Sequence, residues 1–519
     1  MVVKILMLIV FFAIMIGVGL YCRRHATDVN GFVLGGRQVG PWLTAFAYGT
    51  SYFSAVIFVG YAGQFGWRFG IASTWIGLGN AFIGSLMAWA ILGRRTRLMS
   101  QQLSSATMPE FFGKRYSSNA LKIGASAIIF IFLIPYTASL YNGLSRLFAM
   151  AFNIDYTVCI IIMAVLTGIY VIAGGYMATA INDFIQGIIM LFGIVAVIAA
   201  VLNANGGFME AITKMAQVND ATVSETPGVF ASFFGPKPLD LLFVVILTSL
   251  GTWGLPQMVQ KFYAIKSEAA ISKGTIISTV FALVVAGGCY FLGGFGRLFS
   301  DKIEVVNGVP TAGYDAIVPT MLETLSPLLI GVVVILVLSA SMSTLSSLVL
   351  ASSSTLTLDF IKGAIVKDMD EKKQVFVMRV LIVAFILISV IIAIVQYSTK
   401  VNFIAQLMGI SWGALAGAFL APFLCGLYMK KATKAAAWCS MIFGVGIMVL
   451  NMFVKSAFPA WLQSPINCGA FAMLAGLVIV PVVSLFTPKP DKKTVEFAFA
   501  AYDRKVLVPA REALGDEEK

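Results

Sequence analysis

Long apolar stretches alternate with short polar segments along almost the whole of the 519-residue chain. An α-helix needs about 20 mainly apolar residues to cross a bilayer, and each stretch has about that length. The pattern predicts an all-α polytopic membrane protein. About thirteen spans are expected, near 4–22, 42–66, 71–93, 121–152, 155–174, 181–203, 238–262, 270–298, 326–360, 372–397, 402–427, 432–454 and 461–486.

Basic residues are concentrated in every second loop, which is the distribution expected of cytoplasmic segments. Lys261, Lys266 and Lys273, for example, are assigned to one such loop. The amino terminus is therefore predicted to lie outside the cell (inner or plasma) membrane, and the tail from Lys489 in the cytoplasm. The formal net charge of +12 follows largely from this bias, so nucleic-acid binding is not expected.

Hydrophobic residues make up 59% of the chain, and its few reactive side chains offer little catalytic chemistry. The six cysteines lack the close spacing of zinc or redox motifs. The single histidine, His25, lies in an arginine-flanked polar segment. No glycine-rich segment ends in the Gly-Lys-Ser/Thr of a P-loop. The chain is therefore not expected to be an enzyme or an ATP-driven pump.

Two of the predicted spans carry helix-breaking residues near their centres. The first, over 47–70, contains several glycines among serine and threonine residues. The second contains Gly251, Gly254 and Pro256, and proline removes a backbone donor. Unpaired backbone is tolerated in a bilayer where it lines a cavity or binds a ligand. The alternative is a pair of ordinary kinks, since glycine and proline are common in membrane helices.

The positions of the two interrupted spans argue against ordinary kinks. Without the first span, they are members one and six of ten helices, which are corresponding positions in two five-helix halves. An odd number of spans in each half inverts the second half relative to the first. Paired broken helices in an inverted repeat are typical of secondary transporters, whose binding site lies near the middle of the membrane.

One apolar helix carries an unusual number of hydroxyl groups, in the segment ASMSTLSSLVLASSSTLTLDFIK over 340–362. Ala340, Ser343 and Thr344 are spaced so that a carbonyl and two hydroxyls share one helical face. Neutral oxygens of this kind can hold a small monovalent cation. The alternative is helix packing, with Thr344 bonded to the Ala340 carbonyl of its own helix.

Three motifs carry a resemblance to a known family: LGGRQVGP over 34–41, GGYMATAINDFIQ over 174–186, and the hydroxyl-rich segment from 339 to 362. They resemble the sodium:solute symporter family. The resemblance implies a LeuT-like 5+5 inverted repeat with one extra N-terminal and two extra C-terminal helices. The expected units are an N-terminal span and loop, two repeats, two further spans and a cytoplasmic tail, over 1–41, 42–203, 204–427, 428–486 and 487–519.

The resemblance also implies sodium-coupled import of a small polar organic solute, such as an amino acid, a sugar or a carboxylate, by alternating access. Sodium is the expected coupling ion. Asp183 matches a family aspartate that assists sodium release or completes a second sodium site; the alternatives are a helix N-cap or a partner for a loop arginine. The implied sodium ligands are the carbonyls of Thr50, Phe53 and Ala340 and the hydroxyls of Ser343 and Thr344.

The solute is less closely defined by the sequence. Tyr136 falls at a position that contacts substrate in the proline branch of the family, whereas Tyr52 replaces an aspartate of that branch. Thr248 and Thr252 stand where two bulky aromatic residues are expected. A polar, mainly neutral pocket is predicted from Ser51, Tyr52, Ser54, Gln64, Tyr136, Thr252, Trp253 and Gln257.

Two other functions remain open at this point. A sodium-selective channel would use the same hydroxyls but would conduct without a solute. A solute-sensing transceptor would need a signalling domain, and the tail looks too short to hold one. The expected partners are a small-molecule solute, sodium and the lipid bilayer, and the chain is expected to act as a monomer.

Overall fold

The computed structural model of the protein describes residues 2–152, 155–306, 308–323, 325–366, 368–398 and 404–503. Helices dominate these segments, as the hydropathy pattern predicts. The long ones are Val2–Cys22, Asn119–Phe152, Tyr156–Ala204, Glu268–Gly293, Pro327–Thr355, Glu371–Ser398, Ile404–Tyr428, Lys434–Phe453 and Pro465–Phe486. Shorter helices are Val29–Leu34, Met108–Arg115, Phe208–Gln217, Ile317–Leu322 and Lys492–Phe499, and one small hairpin pairs Val305–Val306 with Val309–Pro310.

The first predicted interruption is present in the structure. A helix begins at Pro41, which suits the first helical position because its missing N–H needs no partner there. This helix ends at Tyr52, since Phe53 is extended with φ −91° and ψ 122°. The chain then resumes as wide π-type turns over Val56–Tyr61 and as an α-helix over Ala62–Phe69. We call 41–69 the first broken helix.

The second predicted interruption is also present. Helical turns over Pro238–Gly254 are followed by the helix Pro256–Ala264, and the two parts are bent by 46°. Leu255 between them is extended, with φ −86° and ψ 124°. Pro256 again takes the first helical position. We call 238–264 the second broken helix, and its bend confirms that the glycines and the proline interrupt this span.

Among the described residues, ten helices are long and apolar enough to cross a membrane, or eleven with the second broken helix. Two of them, Val56–Gln102 and Thr157–Ala204, have 47 and 48 residues. Each is far longer than the bilayer core requires. Gly70 and Gly175 interrupt them in left-handed conformations, with φ of 62° and 55°. The predicted number of thirteen spans stays a prediction.

The helix Pro327–Thr355 continues in π-helical turns to Ile365, and this span, Pro327–Ile365, lies at the centre of the molecule, with 78% of an 18-residue apolar segment buried. The helix Ile5–Cys22 lies at the edge, with only 22% buried. Small residues allow close helix packing inside the molecule. At Gly66 of the first broken helix, an added Cβ atom would lie 1.8 Å from the carbonyl oxygen of Gly293. The first broken helix is therefore packed directly against the helix Glu268–Gly293.

The predicted cytoplasmic tail is described only in part. The helix Lys492–Phe499 is followed by a short turn, and the Tyr502 hydroxyl donates a hydrogen bond to the Leu427 carbonyl over 3.0 Å. Residues 504–519 of the predicted tail lie outside the described residues. The described part of the tail is thus attached to the end of the helix Ile404–Tyr428.

Candidate sodium site and solute site

The first broken helix leaves backbone carbonyls available at its break. A helix normally leaves its last carbonyls without a partner inside the helix, and here the chain turns away after Tyr52. The carbonyl oxygens of Thr50 and Phe53 lie at this end, and both residues are buried. Buried backbone oxygens need another partner. The hydroxyl-rich face of Pro327–Ile365 supplies it.

Two hydroxyls of that face lie directly against the break. The Oγ atom of Ser343 is 3.1 Å from the Thr50 carbonyl oxygen and 3.0 Å from that of Ala340. The Oγ1 atom of Thr344 is 3.1 Å from each of the Thr50, Phe53 and Ala340 carbonyl oxygens. The five predicted sodium-ligand positions therefore meet in one place. We call these five oxygens the oxygen cage.

The oxygen cage contains more acceptors than donors. Three carbonyl oxygens compete for the protons of two hydroxyls, and each hydroxyl can donate only one. The packing interpretation accounts for the bond from Thr344 to Ala340 within the helix, which is present at 3.1 Å. It also accounts for hydroxyl bonds across to the first broken helix, but two hydroxyl protons cannot be donated to three carbonyls at once. A buried excess of neutral oxygens is suited to a small cation.

Asp183 lies in a buried position that matches neither structural alternative. It follows the break at Gly175 by two helical turns, inside the helix Tyr156–Ala204, and it is not an N-cap residue. Its carboxylate faces Lys261, with 3.9 Å between Oδ2 and Nζ, and the two side chains are 0% and 2% exposed. The assignment of Lys261 to a cytoplasmic loop was wrong, because it lies in the helix Pro256–Ala264. Pairing with a buried carboxylate makes that position possible.

Two predicted solute residues present buried polar atoms without a hydrogen-bond partner among the described residues: Oε1 of Gln64 and both ends of the Gln257 amide. The buried Tyr136 hydroxyl lies beside the side chains of Ser54 and Trp412. Buried polar atoms are normally paired, so an unpaired group needs a reason. Gln64 belongs to the first broken helix and Gln257 to the second. A polar solute bonded to these groups is one such reason.

The other predicted solute residues bond to the protein itself. The Thr252 hydroxyl oxygen is 3.2 Å from the Gly84 carbonyl oxygen and 2.9 Å from that of Ser249 in its own span, and the Trp253 indole donates to the Ile83 carbonyl over 3.0 Å. These bonds attach the second break to a neighbouring helix.

Two hydroxyls of the first break are occupied in the same way. Ser51 is 2.9 Å from the hydroxyl of Ser347, and Ser54 accepts a bond from the amide of Val56 over 3.3 Å. The side chain of Tyr52 lies outside the described side chains. Four of the eight predicted residues therefore have protein partners.

Sequence reasoning did not select three residues that the structure brings to these sites. Trp412 packs edge-on against Tyr136, with 6.0 Å between ring centroids, and its indole lies beside the Tyr136 hydroxyl. Ser341 accepts a bond from the Ala55 amide over 3.2 Å. Ser347 accepts one from Lys261 over 3.1 Å. A tryptophan inside a run of small residues, ISWGALAG, was the available signal for Trp412.

Two interrupted helices, of which the first contributes backbone carbonyls to a buried cluster of oxygens, are typical of secondary transporters. The sodium:solute symporter family matches residues 32–444, and the chain belongs to this family. The predicted family resemblance is confirmed, and it covers both broken helices, Asp183 and the hydroxyl-rich helix.

Individual relatives agree with this assignment. The chain is 27% identical over 486 residues to the osmoregulated proline transporter OpuE of Bacillus subtilis (strain 168). The matched region covers 93% of this chain and 94% of the relative. It is 29% identical over 507 residues to a sodium/proline symporter of Staphylococcus aureus (strain NCTC 8325 / PS 47), over 95% and 93% of the two chains.

A solved structure agrees in fold. The substrate-bound, outward-open state of a sodium-coupled sialic acid symporter superimposes with a TM-score of 0.71 at 16% identity, over 94% of this chain and 99% of that one. The predicted LeuT-like fold class is confirmed. The protein is a multi-pass membrane protein and a sodium-coupled symporter of a small solute, not an enzyme.

Proposed function

We propose that the coupling sodium ion binds in the oxygen cage and that a small polar organic solute binds beside it, between the two breaks. The observation that carries the proposal is the excess of acceptors in the cage. Thr50, Phe53, Ala340, Ser343 and Thr344 together offer five neutral oxygens and only two hydroxyl protons. A sodium ion would take all five oxygens as ligands. The two hydroxyl protons would then no longer have to be shared among the three carbonyl oxygens.

The cage also fits a coupling role because it joins two helices that are far apart in the chain. Thr50 and Phe53 belong to the first broken helix, and Ser343 and Thr344 to the helix Pro327–Ile365. An ion that bonds to both helices favours the arrangement in which they are close. A ligand shifts a conformational equilibrium only through its different affinity for the two states. Sodium therefore stabilises the arrangement in which the first broken helix and the hydroxyl-rich helix are close.

The proposed solute is neutral or zwitterionic and polar. Its partners are the unpaired groups of Gln64 and Gln257, and the rings of Tyr136 and Trp412 form a wall of the site. Ser51, Ser54, Thr252 and Trp253 then shape the site rather than bind the solute through their side-chain polar atoms, and Tyr52 stays a solute residue proposed from the sequence.

The named relatives make proline and other small amino acids the first solutes to test, before sugars and carboxylates. Tyr52, Thr248 and Thr252 depart from the proline pattern, so a related solute fits the sequence better than proline itself. Asp183 stays the proposed residue for sodium release or for a second cation position. The units proposed from the sequence, including the two repeats over 42–203 and 204–427, are kept.

The proposed orientation follows the basic residues, with the amino terminus outside and the tail in the cytoplasm. The protein is proposed to work as a monomer in the bilayer, since both proposed sites are formed within one chain. A reporter fused after residue 503 tests the orientation: activity of a cytoplasmic reporter supports it, and activity of an exported reporter contradicts it.

The proposed solute class is tested by uptake into proteoliposomes of purified protein. Radiolabelled amino acids, sugars and carboxylates are offered with an inward sodium gradient or with choline in place of sodium. Sodium-dependent accumulation of a small neutral amino acid is expected. Accumulation of an anionic carboxylate alone would contradict the neutral site, and uptake that is equal in choline would contradict sodium coupling.

A further inference from the structure

A buried pair of opposite charges lies close to the oxygen cage. Asp183 is in the helix Tyr156–Ala204, whereas Lys261 is in Pro256–Ala264, the second part of the second broken helix. Their charged groups are 3.9 Å apart and almost wholly shielded from solvent. Among the described residues, Lys261 is the one buried lysine. A lysine is rarely buried without a specific reason.

The geometry is not that of an ion pair that holds a fold together. A buried pair offsets its desolvation only when the contact is close and further hydrogen bonds satisfy both groups. Neither carboxylate oxygen of Asp183 accepts a hydrogen bond from a described residue. The Lys261 ammonium donates to Ser347 over 3.1 Å and lies 5.1 Å from the centre of the Tyr176 ring. This arrangement fits a cation-binding position at the Asp183 carboxylate that is occupied by the ammonium group of Lys261.

Hydroxyl groups connect this position to the oxygen cage. The Oγ atom of Ser347, which bonds to Lys261, is 2.9 Å from the Oγ atom of Ser51. Ser51 follows Thr50, a member of the cage. Ser347 also follows Thr344 by three residues, so that it lies on the same face of its helix. The ammonium of Lys261 and a sodium ion in the cage would therefore be neighbouring cations, about one helical turn apart.

Charge balance limits what else can bind to Asp183. Asp183 carries one negative charge, and the Lys261 ammonium already lies against its carboxylate, so a sodium ion at the same carboxylate would have to compete with the ammonium for that charge. The buried Asp183 carboxylate therefore binds one cation at a time.

We propose that the Lys261 ammonium takes the place of a second sodium ion at Asp183, so that the protein couples one sodium ion to each solute molecule. The inference rests on the proposed oxygen cage as the sodium site. Because the amine stays attached to the second broken helix, it balances the carboxylate in every transport cycle without being transported. The position of the ammonium sets the coupling ratio.

The test counts bound sodium on the purified full-length protein with radioactive sodium. The wild type is expected to bind one sodium ion per chain. Lys261→Gln removes the amine and keeps a polar side chain, so Asp183 becomes free to bind sodium and the count is expected to rise to two. A count of one in Lys261→Gln, or of two in the wild type, would overturn the inference.

Two further variants separate charge from local damage. Lys261→Arg keeps a positive charge and is expected to bind one sodium ion. The double variant Asp183→Asn with Lys261→Gln removes both charges and is expected to return the count from two to one; a count of two there would overturn the inference. If Lys261→Gln does not fold, the wild-type count still decides, since two bound ions contradict the proposal. A wild type that binds no sodium contradicts the oxygen cage instead.

Discussion

The two broken helices are interrupted in similar ways but their breaks have different partners. At the first break, the carbonyls of Thr50 and Phe53 face the hydroxyls of Ser343 and Thr344 on another helix. At the second break, Gly254 lies directly against the helix Ile404–Tyr428, where an added Cβ atom would be 2.9 Å from the Cα atom of Ala416. The first break is held by oxygen contacts, and the second by close backbone packing together with the hydrogen bonds of Thr252 and Trp253.

The difference separates the roles of the two breaks. The first offers a cluster of oxygens with too few protons, which is suited to a cation. The second offers Gln257, whose amide has a donor end and an acceptor end that are both unpaired among the described residues. An amide with both ends available suits a neutral polar solute better than an ion. A broken helix is therefore not by itself an ion site; the groups that face the break decide its ligand.

The first prediction uses the membrane potential to distinguish the charged ligand of the first break from the neutral ligand of the second. A potential of 100 mV is worth about 2.3 kcal/mol for each elementary charge, which corresponds to roughly a fiftyfold change in the accumulation ratio. Setting the interior of proteoliposomes negative by that amount should raise the limiting accumulation of a neutral solute about fiftyfold per sodium ion. If accumulation does not depend on the potential, no net charge enters with the solute. That result would contradict the proposal that a neutral solute enters together with a sodium ion.

The second prediction tests the packing of the second break. Gly254→Ala introduces a methyl group where the backbone of the neighbouring helix is 2.9 Å away. Overpacking of this kind costs about 1–3 kcal/mol. The variant should unfold about 1–3 °C below the wild type, measured on protein in detergent. Gly251→Ala is the matched control, since its nearest neighbour is at 3.5 Å; equal losses in both variants would show that packing at Gly254 is not special.

The third prediction concerns the solute at the second break. Gln257→Leu keeps the size of the side chain and removes both polar ends. Losing a neutral hydrogen bond costs about 0.5–1.5 kcal/mol, so the solute KM should rise about two- to tenfold while the sodium requirement stays unchanged. Thr248→Val is the control, because the Thr248 hydroxyl bonds to the Val244 carbonyl of its own helix over 2.9 Å. A raised sodium requirement in Gln257→Leu would place this residue with the ion instead.

The local sequence was sufficient to predict the two breaks and the hydroxyl face. Gly251, Gly254 and Pro256 act on the backbone where they stand, and the spacing of Ser343 and Thr344 fixes their common face in any helix. The family resemblance then supplied Thr50 and Phe53 as their partners. These features depend on short stretches of chain, which a single sequence displays.

Features that depend on distant partners could not be predicted in the same way. The pairing of Asp183 with Lys261 joins residues 78 positions apart in the chain. Nothing in the neighbourhood of Lys261 distinguishes a buried lysine from a basic residue at the edge of a cytoplasmic loop. The hydrogen bond from the Thr252 hydroxyl to the Gly84 carbonyl also joins residues that are far apart in the chain. In each case tertiary packing decides which polar groups remain available for a ligand.

The central claim is that the oxygen cage binds sodium, and sodium titration of purified Thr344→Ala tests it most directly. Removing one ligand oxygen from a charged partner costs about 1.5–3 kcal/mol, so the sodium affinity should fall about ten- to a hundredfold. Thr344→Ser keeps the oxygen and should bind sodium nearly as the wild type does. Ser353→Ala is the packing control, because the Ser353 hydroxyl bonds to the Leu350 carbonyl of its own helix over 3.2 Å. A Thr344→Ala protein that is folded and binds sodium as tightly as Ser353→Ala would contradict the account.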